Sequence, residues 1–259
     1  MDRADLGIGG ELDQDESRLD SPLRKTILKT GKKLRPFFDR ILARYSRIGD
    51  QPVFDSRMFP WTAELEAGWL EIRRETEAVL AFHEAIPPLR RISPDHARIA
   101  GSDRWKSFFL HGYGLRSERN CARCPQTAKL LARIPNLQSA FFSIMMPGTH
   151  LARHKGPTKG LMTCHLGLII PRQSERCRID IAGIEHHWAE GKTLIFDDTY
   201  KHEVWNDADS DRVVLLIHFL RPLRFPGNLV RWLFLTAIKL SPFVRDAHRK
   251  QREWEEQYV

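Results

Sequence analysis

Alternating and continuously apolar segments occupy the middle of the chain and predict a mainly β domain. Apolar residues alternate or run together from Ser139 to Phe219, and turn-forming residues interrupt them at Gly148, Gly156–Pro157, Gly183 and Glu190–Gly191. Short strand-like runs bounded by glycine or proline are typical of all-β sandwiches and barrels. The pattern therefore predicts strands over most of residues 139–219.

Helix-like patterns precede this region and predict that helices cover the outside of the strands. They span residues 22–46, 61–82 and 124–134. Ser21 is a candidate cap for the first helix, whose amphipathic pattern is expected to break around Gly31 and Pro36 because these residues disfavour a continuous helix.

A further helix-like segment follows Pro226–Gly227. Residues 228–240 are apolar nearly all round, with Arg231 and Lys239 as their only charges. About 20 residues are needed to span a bilayer, so this segment is too short. It is either a helix buried against the barrel or an interfacial helix with Trp232 at the lipid head groups. The charged stretch after it predicts a solvated helix.

Charge is concentrated near the N-terminus. Residues 1–22 hold seven acids and two arginines, and this composition predicts a disordered acidic tail. Residues 23–47 hold nine basic residues against Asp39, which gives this stretch a net charge of +8, equal to that of the whole chain. The interleaved apolar residues favour either an amphipathic helix on anionic lipid or a helix packed on the core.

Composition narrows the class of protein. A chain of 259 residues with 42% hydrophobic content can bury a sizeable core, and it contains no internal repeat. Nucleic acid is not an expected partner despite the pI near 9.5, because the basic segment lacks a reader motif. The four cysteines make no disulfide framework, and Cys121 and Cys124 are interpreted as packing residues. Without a secretory signal, a cytoplasmic location is expected.

Two histidines and an arginine are the candidate functional residues. His154 lies in FFSIMMPGTHLARHKGPTKG, His202 closes GKTLIFDDTYKH, and Arg212 follows ten positions later on a predicted strand. Imidazole is a favoured ligand of ferrous iron, and distant histidines meet on one metal only if the strands between them fold back as a sheet. A single histidine is more often a surface or core residue than a ligand. The position two after His154, where ferrous oxygenases commonly carry a carboxylate, is Gly156.

Longer motifs resemble the aspartyl/asparaginyl β-hydroxylase family of iron(II)- and 2-oxoglutarate-dependent dioxygenases. The resemblance runs from about Phe54 to Pro222. It begins with FPWTAELEAGWLEIRRE and DRWKSFFLHGYG, strengthens from CPQT onward, and includes HKGPTKG, CHLGLIIP and WAEGKTLIFDDTYKHEVWNDA. It implies a double-stranded β-helix, also called a jelly roll or cupin-like fold, with iron inside its mouth.

The resemblance also implies a role for each matching residue. His154 and His202 match the two iron ligands. Ser143 and Arg212 match the residues that hold the distal carboxylate of 2-oxoglutarate. His165 matches a residue near its metal-chelating end, and Asp198 matches a carboxylate that orients water on the metal.

One position departs from the family pattern. Two residues before His165 the family commonly carries an arginine that faces the co-substrate and an acidic substrate, whereas this chain has Thr163. A hydroxyl cannot replace a bidentate guanidinium. Arg153, Lys155 and Lys159 are the candidate substitutes.

These features together predict an iron(II)/2-oxoglutarate-dependent hydroxylase that uses O2. Its expected organisation is an acidic tail (1–22), a basic amphipathic segment (23–53), a hydroxylase domain (54–222), and apolar then charged C-terminal helices (223–259). Thr163 and the two lipid-compatible segments favour an acyl chain of a bacterial membrane lipid as substrate, with the protein peripheral on the inner face of the cytoplasmic membrane. The alternatives are β-hydroxylation of aspartyl or asparaginyl groups in a peptide or small molecule, and a non-catalytic ligand-binding barrel.

Overall fold

Two antiparallel sheets form the centre of the protein. The computed structural model describes residues 34–92, 99, 101–112 and 115–239. The expected acidic tail, the basic segment before residue 34 and the charged C-terminal stretch lie outside these residues. The strands are β1 (Val53–Phe54), β2 (Trp105–Gly112), β3 (Leu115–Arg116), β4 (Leu137–Met145), β5 (Thr149–His154), β6 (Leu161–Ile169), β7 (Cys177–Ile181), β8 (Ile184–His187), β9 (Thr193–Phe196), β10 (His202–Asn206) and β11 (Arg212–Leu220).

The strand order confirms the expected double-stranded β-helix. Seven strands form one sheet in the order β1-β9-β6-β11-β4-β2-β3, and four form the other in the order β5-β10-β7-β8. Consecutive strands switch between the sheets, as β4, β5 and β6 do, so the two sheets face each other as in a jelly roll. Turns lie at Gly148, Gly183 and Gly191, each with a positive φ that glycine adopts without strain.

Strand β11 shows how the sequence divides the core. Val213, Leu215 and Ile217 are buried in the cluster that contains the helices, whereas Val214 and Leu216 are buried in the cluster between the two sheets. Side chains alternate across a strand, so the even-numbered residues of β11 face the interior of the β-helix. Arg212 and His218, at the two ends of this series, are thereby directed to the same side.

The helices cover one face of the larger sheet, as predicted. They are α1 (34–44), α2 (Trp61–Ala67), α3 (Trp69–Leu80), α4 (Leu89–Ile92), α5 (Glu118–Arg123), α6 (Pro125–Leu131) and α7 (Gly227–Lys239). In the described part of the chain, every helix is too short or too polar to cross a membrane.

One helix prediction was wrong in detail. The single helix expected over residues 61–82 is broken at Gly68, which ends α2 and precedes α3. Glycine disfavours a continuous helix, and it fits this position because a Cβ at Gly68 would lie 2.7 Å from Leu130 Cδ1. Pro36 lies in the first turn of the described part of α1, where proline is tolerated, so the interruption expected around Gly31 and Pro36 stays a prediction.

The strand content before Ser139 was underestimated, most of all at β2. Strand β2 pairs with β4 along most of its length, yet the sequence pattern predicted strands only from Ser139 onward. Every residue of β2 except His111 is buried, Lys106 and Ser107 included. A strand covered on both faces lacks the alternation that identifies a half-exposed strand.

Candidate functional site

His154 and His202 meet where β5 and β10 pair. His154 is the last residue of β5 and His202 the first of β10, and the two are register partners. Their ring centroids lie 4.0 Å apart. The four-stranded sheet therefore brings together the two histidines that the sequence separates by 48 positions.

Hydrogen bonds determine which nitrogen of each imidazole ring carries the hydrogen. His154 Nδ1 lies 2.8 Å from the carbonyl oxygen of Ala152, and His202 Nδ1 lies 3.0 Å from that of Tyr200. A carbonyl oxygen only accepts, so each Nδ1 carries the hydrogen and each Nε2 keeps a lone pair. Burial lowers the pKa of both histidines, to about 4 for His202, which also lies beside His154. Neutral rings with a free Nε2 are the form that binds a metal ion.

Asp198 occupies the space beside Gly156, where a third ligand would otherwise project. A Cβ at Gly156 would lie 2.0 Å from Asp198 Cγ, and the Gly156 N–H donates to the Asp198 carbonyl at 2.7 Å. Burial and the neighbouring Asp197 carboxylate raise the pKa of Asp198 to about 7. Within the described ranges, no group of three or more histidine, cysteine or acidic residues is arranged to hold a metal. The histidine pair thus fits a two-ligand metal centre with Asp198 nearby.

Arg212 is a buried cation without an acidic partner among the described residues. Its guanidinium lies 4.5 Å from the Trp188 ring centroid and contacts Met145 Sδ, while Nε and Nη1 lack hydrogen-bond partners. Burial lowers the pKa of Arg212 to about 10, partly offset by Cys177, so it remains charged at neutral pH. A buried charge without a partner is costly. The residues present therefore fit a ligand that supplies a carboxylate here.

Ser143 and His165 face the same interior as Arg212. Ser143 Oγ accepts a hydrogen bond from Trp105 Nε1 at 3.0 Å, which leaves its own hydroxyl hydrogen to donate elsewhere. His165 Nδ1 accepts from Trp188 Nε1 at 3.2 Å, so the hydrogen of this neutral ring is on Nε2. Burial and the nearby Arg212 charge lower the pKa of His165 well below its usual value. The Ser143 hydroxyl and His165 Nε2 therefore each have a hydrogen that can be donated to an anion.

A histidine lies beside Thr163, the position at which the family commonly has an arginine. His218 is its register partner across β6 and β11, with Nδ1 2.7 Å from Ser139 Oγ and Nε2 4.0 Å from Asp198 Oδ2. Arg153 pairs with Glu203 and Asp180, whereas Lys159 pairs with Asp50 and Asp197, so neither fills this position.

His218, Trp188 and Trp105 were missed by sequence reasoning. The signal for His218 is its position on β11, six residues after Arg212 and on the same face. The two tryptophans orient His165 and Ser143 through contacts that sequence spacing does not reveal.

A cleft of about 760 Å³ opens beside the histidine pair. Its lining includes residues adjacent to each histidine along the chain, Arg153 and Lys155 on one side and Tyr200 and Lys201 on the other. Lys155 and Lys201 are exposed and make no salt bridge among the described side chains. The cleft is therefore basic and large enough to admit part of a substrate.

A buried ion pair anchors the segment that carries Asp198 and His202. The Asp197 carboxylate contacts Arg221, Lys159 and the Thr199 hydroxyl, and both Asp197 and Arg221 are fully buried. Arg221 also donates to the carbonyl oxygen of Gly49 at 2.9 Å. This network holds the β9–β10 connection in place.

Comparison with known proteins agrees with the resemblance. A family model described as aspartyl/asparaginyl beta-hydroxylase matches residues 66–222. An ornithine lipid ester-linked acyl 2-hydroxylase from Rhizobium tropici is 41% identical over 215 residues, covering 83% of this chain and 76% of the relative.

One further relative and one solved structure match a smaller part of this chain. The aspartyl/asparaginyl beta-hydroxylase of Homo sapiens is 37% identical over 163 residues, which are 61% of this chain but only 21% of that protein. A prolyl-4-hydroxylase structure from Pseudomonas putida overlays on 60% of this chain with 19% identity and a TM-score of 0.37, too low to support a conclusion.

Proposed function

Because the chain belongs to the aspartyl/asparaginyl β-hydroxylase family, we propose that it is an iron(II)- and 2-oxoglutarate-dependent hydroxylase that consumes O2. The observation that carries this proposal is the buried Arg212 guanidinium, which has no acidic partner among the described residues, in the same β-helix as two neutral histidines with free Nε2 atoms. This combination suits a metal ion and a dicarboxylate together.

Each residue then has a defined task. His154 and His202 hold iron, which when bound supplies the oxygen activation that side chains alone cannot. Arg212 binds the distal carboxylate of 2-oxoglutarate, with the Ser143 hydroxyl as a second donor. His165 donates from Nε2 to the opposite end of the co-substrate. Asp198 orients water beside the histidine pair, while the apolar walls of the β-helix exclude bulk water.

An acyl chain of a membrane lipid is the proposed substrate. The Rhizobium tropici relative is named for such a reaction and matches most of this chain. Thr163 stands where the family commonly has an arginine, and among the described residues Arg153 and Lys159 are already paired with carboxylates, which disfavours an acidic substrate at this end of the site. A lipid substrate also implies that the protein works at a bilayer surface, which we propose to be the inner face of the cytoplasmic membrane.

β-Hydroxylation of an aspartyl or asparaginyl group is the second candidate. It is favoured by the similarity to the human β-hydroxylase and by the exposed lysines of the cleft, which would attract an acidic peptide.

One experiment separates these candidates. We expect the purified protein with ferrous iron, O2 and 2-oxoglutarate to form succinate and to add a single oxygen to an acyl chain in a bacterial lipid extract, as measured by mass spectrometry of fragments. Hydroxylation of aspartyl peptides instead would move the second candidate ahead. Succinate formation under neither condition would favour a non-catalytic binding barrel.

Gly156 gives a prediction about the missing third ligand. Gly156→Ala should lower 2-oxoglutarate turnover by roughly 10–100-fold, the range typical of residues that support a metal site. The reason is steric, because the added Cβ would overlap the Asp198 carboxylate and displace it. Gly156→Asp should fail to restore activity for the same reason, even though it introduces a carboxylate at the usual position.

Gly101→Ala is the matched control, since a Cβ there meets no atom within 4 Å. It should keep wild-type turnover. Near-normal turnover in Gly156→Ala would show that the position of Asp198 is unimportant.

A further inference from the structure

Two neighbouring helices present large apolar side chains to solvent. In α1 these are Leu34 and Phe37. In α7 they are Leu229, Trp232 and Leu233, and Phe225 lies two residues before α7 begins. Phe37 is 57% exposed, Trp232 60% and Phe225 75%. We call these six residues the apolar platform.

The two parts of the platform lie on helices that touch each other. Phe38 packs against Phe234 with ring centroids 5.3 Å apart, and Phe37 meets Phe38 at 5.7 Å. Within α7, Trp232 and Leu233 lie three and four residues after Leu229, so these three side chains share one face of the helix. Single exposed hydrophobic residues are common on proteins, but a cluster of this size marks an interaction surface.

The charges around the platform select its partner. Arg40, Arg44, Arg47 and Arg224 are exposed and have no acidic partner among the described residues. Asp39 does not offset them, because its carboxylate accepts from the Lys159 backbone N–H at 2.9 Å and from Arg35 Nε at 3.2 Å. No acidic residue occurs between positions 212 and 245. An apolar surface beside these exposed arginines, which have no acidic partner in the described part of the chain, complements an anionic lipid surface.

The platform adjoins the cleft of the candidate site. Arg35 and Pro36 of α1 line that cleft together with Lys155 and Lys159. On the other helix, the Arg231 side chain packs over Gly160, where a Cβ would lie 2.9 Å from its Cγ. Both helices therefore contact the connection between His154 and β6. A lipid at the edge of the platform would have its acyl chain beside the cleft opening.

We propose that the apolar platform docks the protein on an anionic lipid bilayer and that acyl chains enter the cleft past Pro36. The docking part stands on the exposed side chains and charges alone, whereas the entry part rests on the proposed acyl-chain hydroxylase function. In this arrangement Trp232 and Phe37 insert among the lipid head groups, and the exposed arginines contact their phosphates.

Cosedimentation with vesicles tests the docking part without requiring catalysis. The full-length protein should bind vesicles of phosphatidylcholine with phosphatidylglycerol at low salt, bind less as salt rises, and bind phosphatidylcholine vesicles weakly. The double variant Phe37→Ser and Trp232→Ser should bind the anionic vesicles at least roughly tenfold more weakly, because it loses two inserted aromatic side chains. A second variant, Arg44→Glu with Arg224→Glu, should lose most of the salt-sensitive attraction.

Ile184→Ser is the matched control, because Ile184 is 59% exposed but lies on the four-stranded sheet in β8. It should bind like wild type. Equal binding of wild type and the Phe37/Trp232 variant to anionic vesicles would overturn the docking proposal.

Activity measurements separate docking from the reaction itself. The Phe37/Trp232 variant should lose hydroxylation of vesicle-embedded lipid while keeping succinate formation from 2-oxoglutarate without lipid. Normal hydroxylation of vesicle lipid by this variant would refute entry through the platform. Absence of succinate formation in wild type would refute the hydroxylase function and leave the vesicle-binding result to decide on docking.

Discussion

Replacing either His154 or His202 with alanine is expected to abolish iron-dependent conversion of 2-oxoglutarate to succinate while the protein remains folded. Each Nε2 has a free lone pair, and no third ligand group is available among the described residues to take over. We expect a loss greater than roughly 100-fold, since changes to residues that only support metal ligands already cost 10–100-fold. Succinate measurement, iron titration and circular dichroism of each variant test this.

His150→Ala is the control for this experiment. His150 lies on the same strand as His154, but its ring is exposed, stacks on Trp205 at 5.3 Å and meets Glu203 at 2.8 Å. Its loss should leave iron binding and turnover near wild type. Retention of most activity by either His154→Ala or His202→Ala would exclude the two-histidine centre.

The mainly β character was predictable from local features, because apolar strands and glycine turns lie between Ser139 and Phe219. The jelly roll and the pairing of the two histidines were expected from the family resemblance, and the order of the strands confirms the jelly roll. The direct pairing of His154 with His202 depends on an irregularity in register between His202 and Val204, which no period-two pattern reveals. The sequence thus identified the two residues, and the sheet determines their 4.0 Å separation.

Other features were not predictable because they depend on distant contacts. Leu130 leaves no room for a side chain at Gly68, and the orientation of His165 follows from Trp188. Neither pair is recognisable from spacing along the chain. Nor can spacing reveal that Arg212 has no acidic partner in the described part of the chain, because a sequence shows a cation but not its surroundings.

For the two amphipathic helices, the sequence could not decide between two roles. The sequence left lipid binding and core packing as alternatives for residues 23–47 and 228–240. In the described parts, each helix packs one side through Phe38 or Phe234 and exposes Phe37 or Trp232 on another. Packing therefore accounts for one face of each helix, and the proposed lipid contact concerns the exposed face, which an average over the segment cannot distinguish.

Arg212→Met is expected to raise the 2-oxoglutarate requirement far more than the iron requirement. A charge-assisted contact in a buried pocket contributes on the order of 2–5 kcal/mol, so the apparent affinity for 2-oxoglutarate should fall by about 30-fold or more. The variant should nevertheless fold, because it removes a buried charge that has no acidic partner among the described residues. Saturating 2-oxoglutarate should raise the Tm of wild type and should raise that of the variant much less.

Arg221→Met separates this binding role from a structural one. Arg212 and Arg221 are both fully buried, but Arg221 contacts the Asp197 carboxylate whereas Arg212 lacks such a partner in the described structure. Without Arg221, the buried Asp197 carboxylate loses a positively charged partner. The substitution should therefore lower the free energy of unfolding by about 3–5 kcal/mol, as measured by urea denaturation. If Arg212→Met were destabilised to the same extent and kept the wild-type requirement for 2-oxoglutarate, Arg212 would be a structural residue and another cation would have to bind the co-substrate.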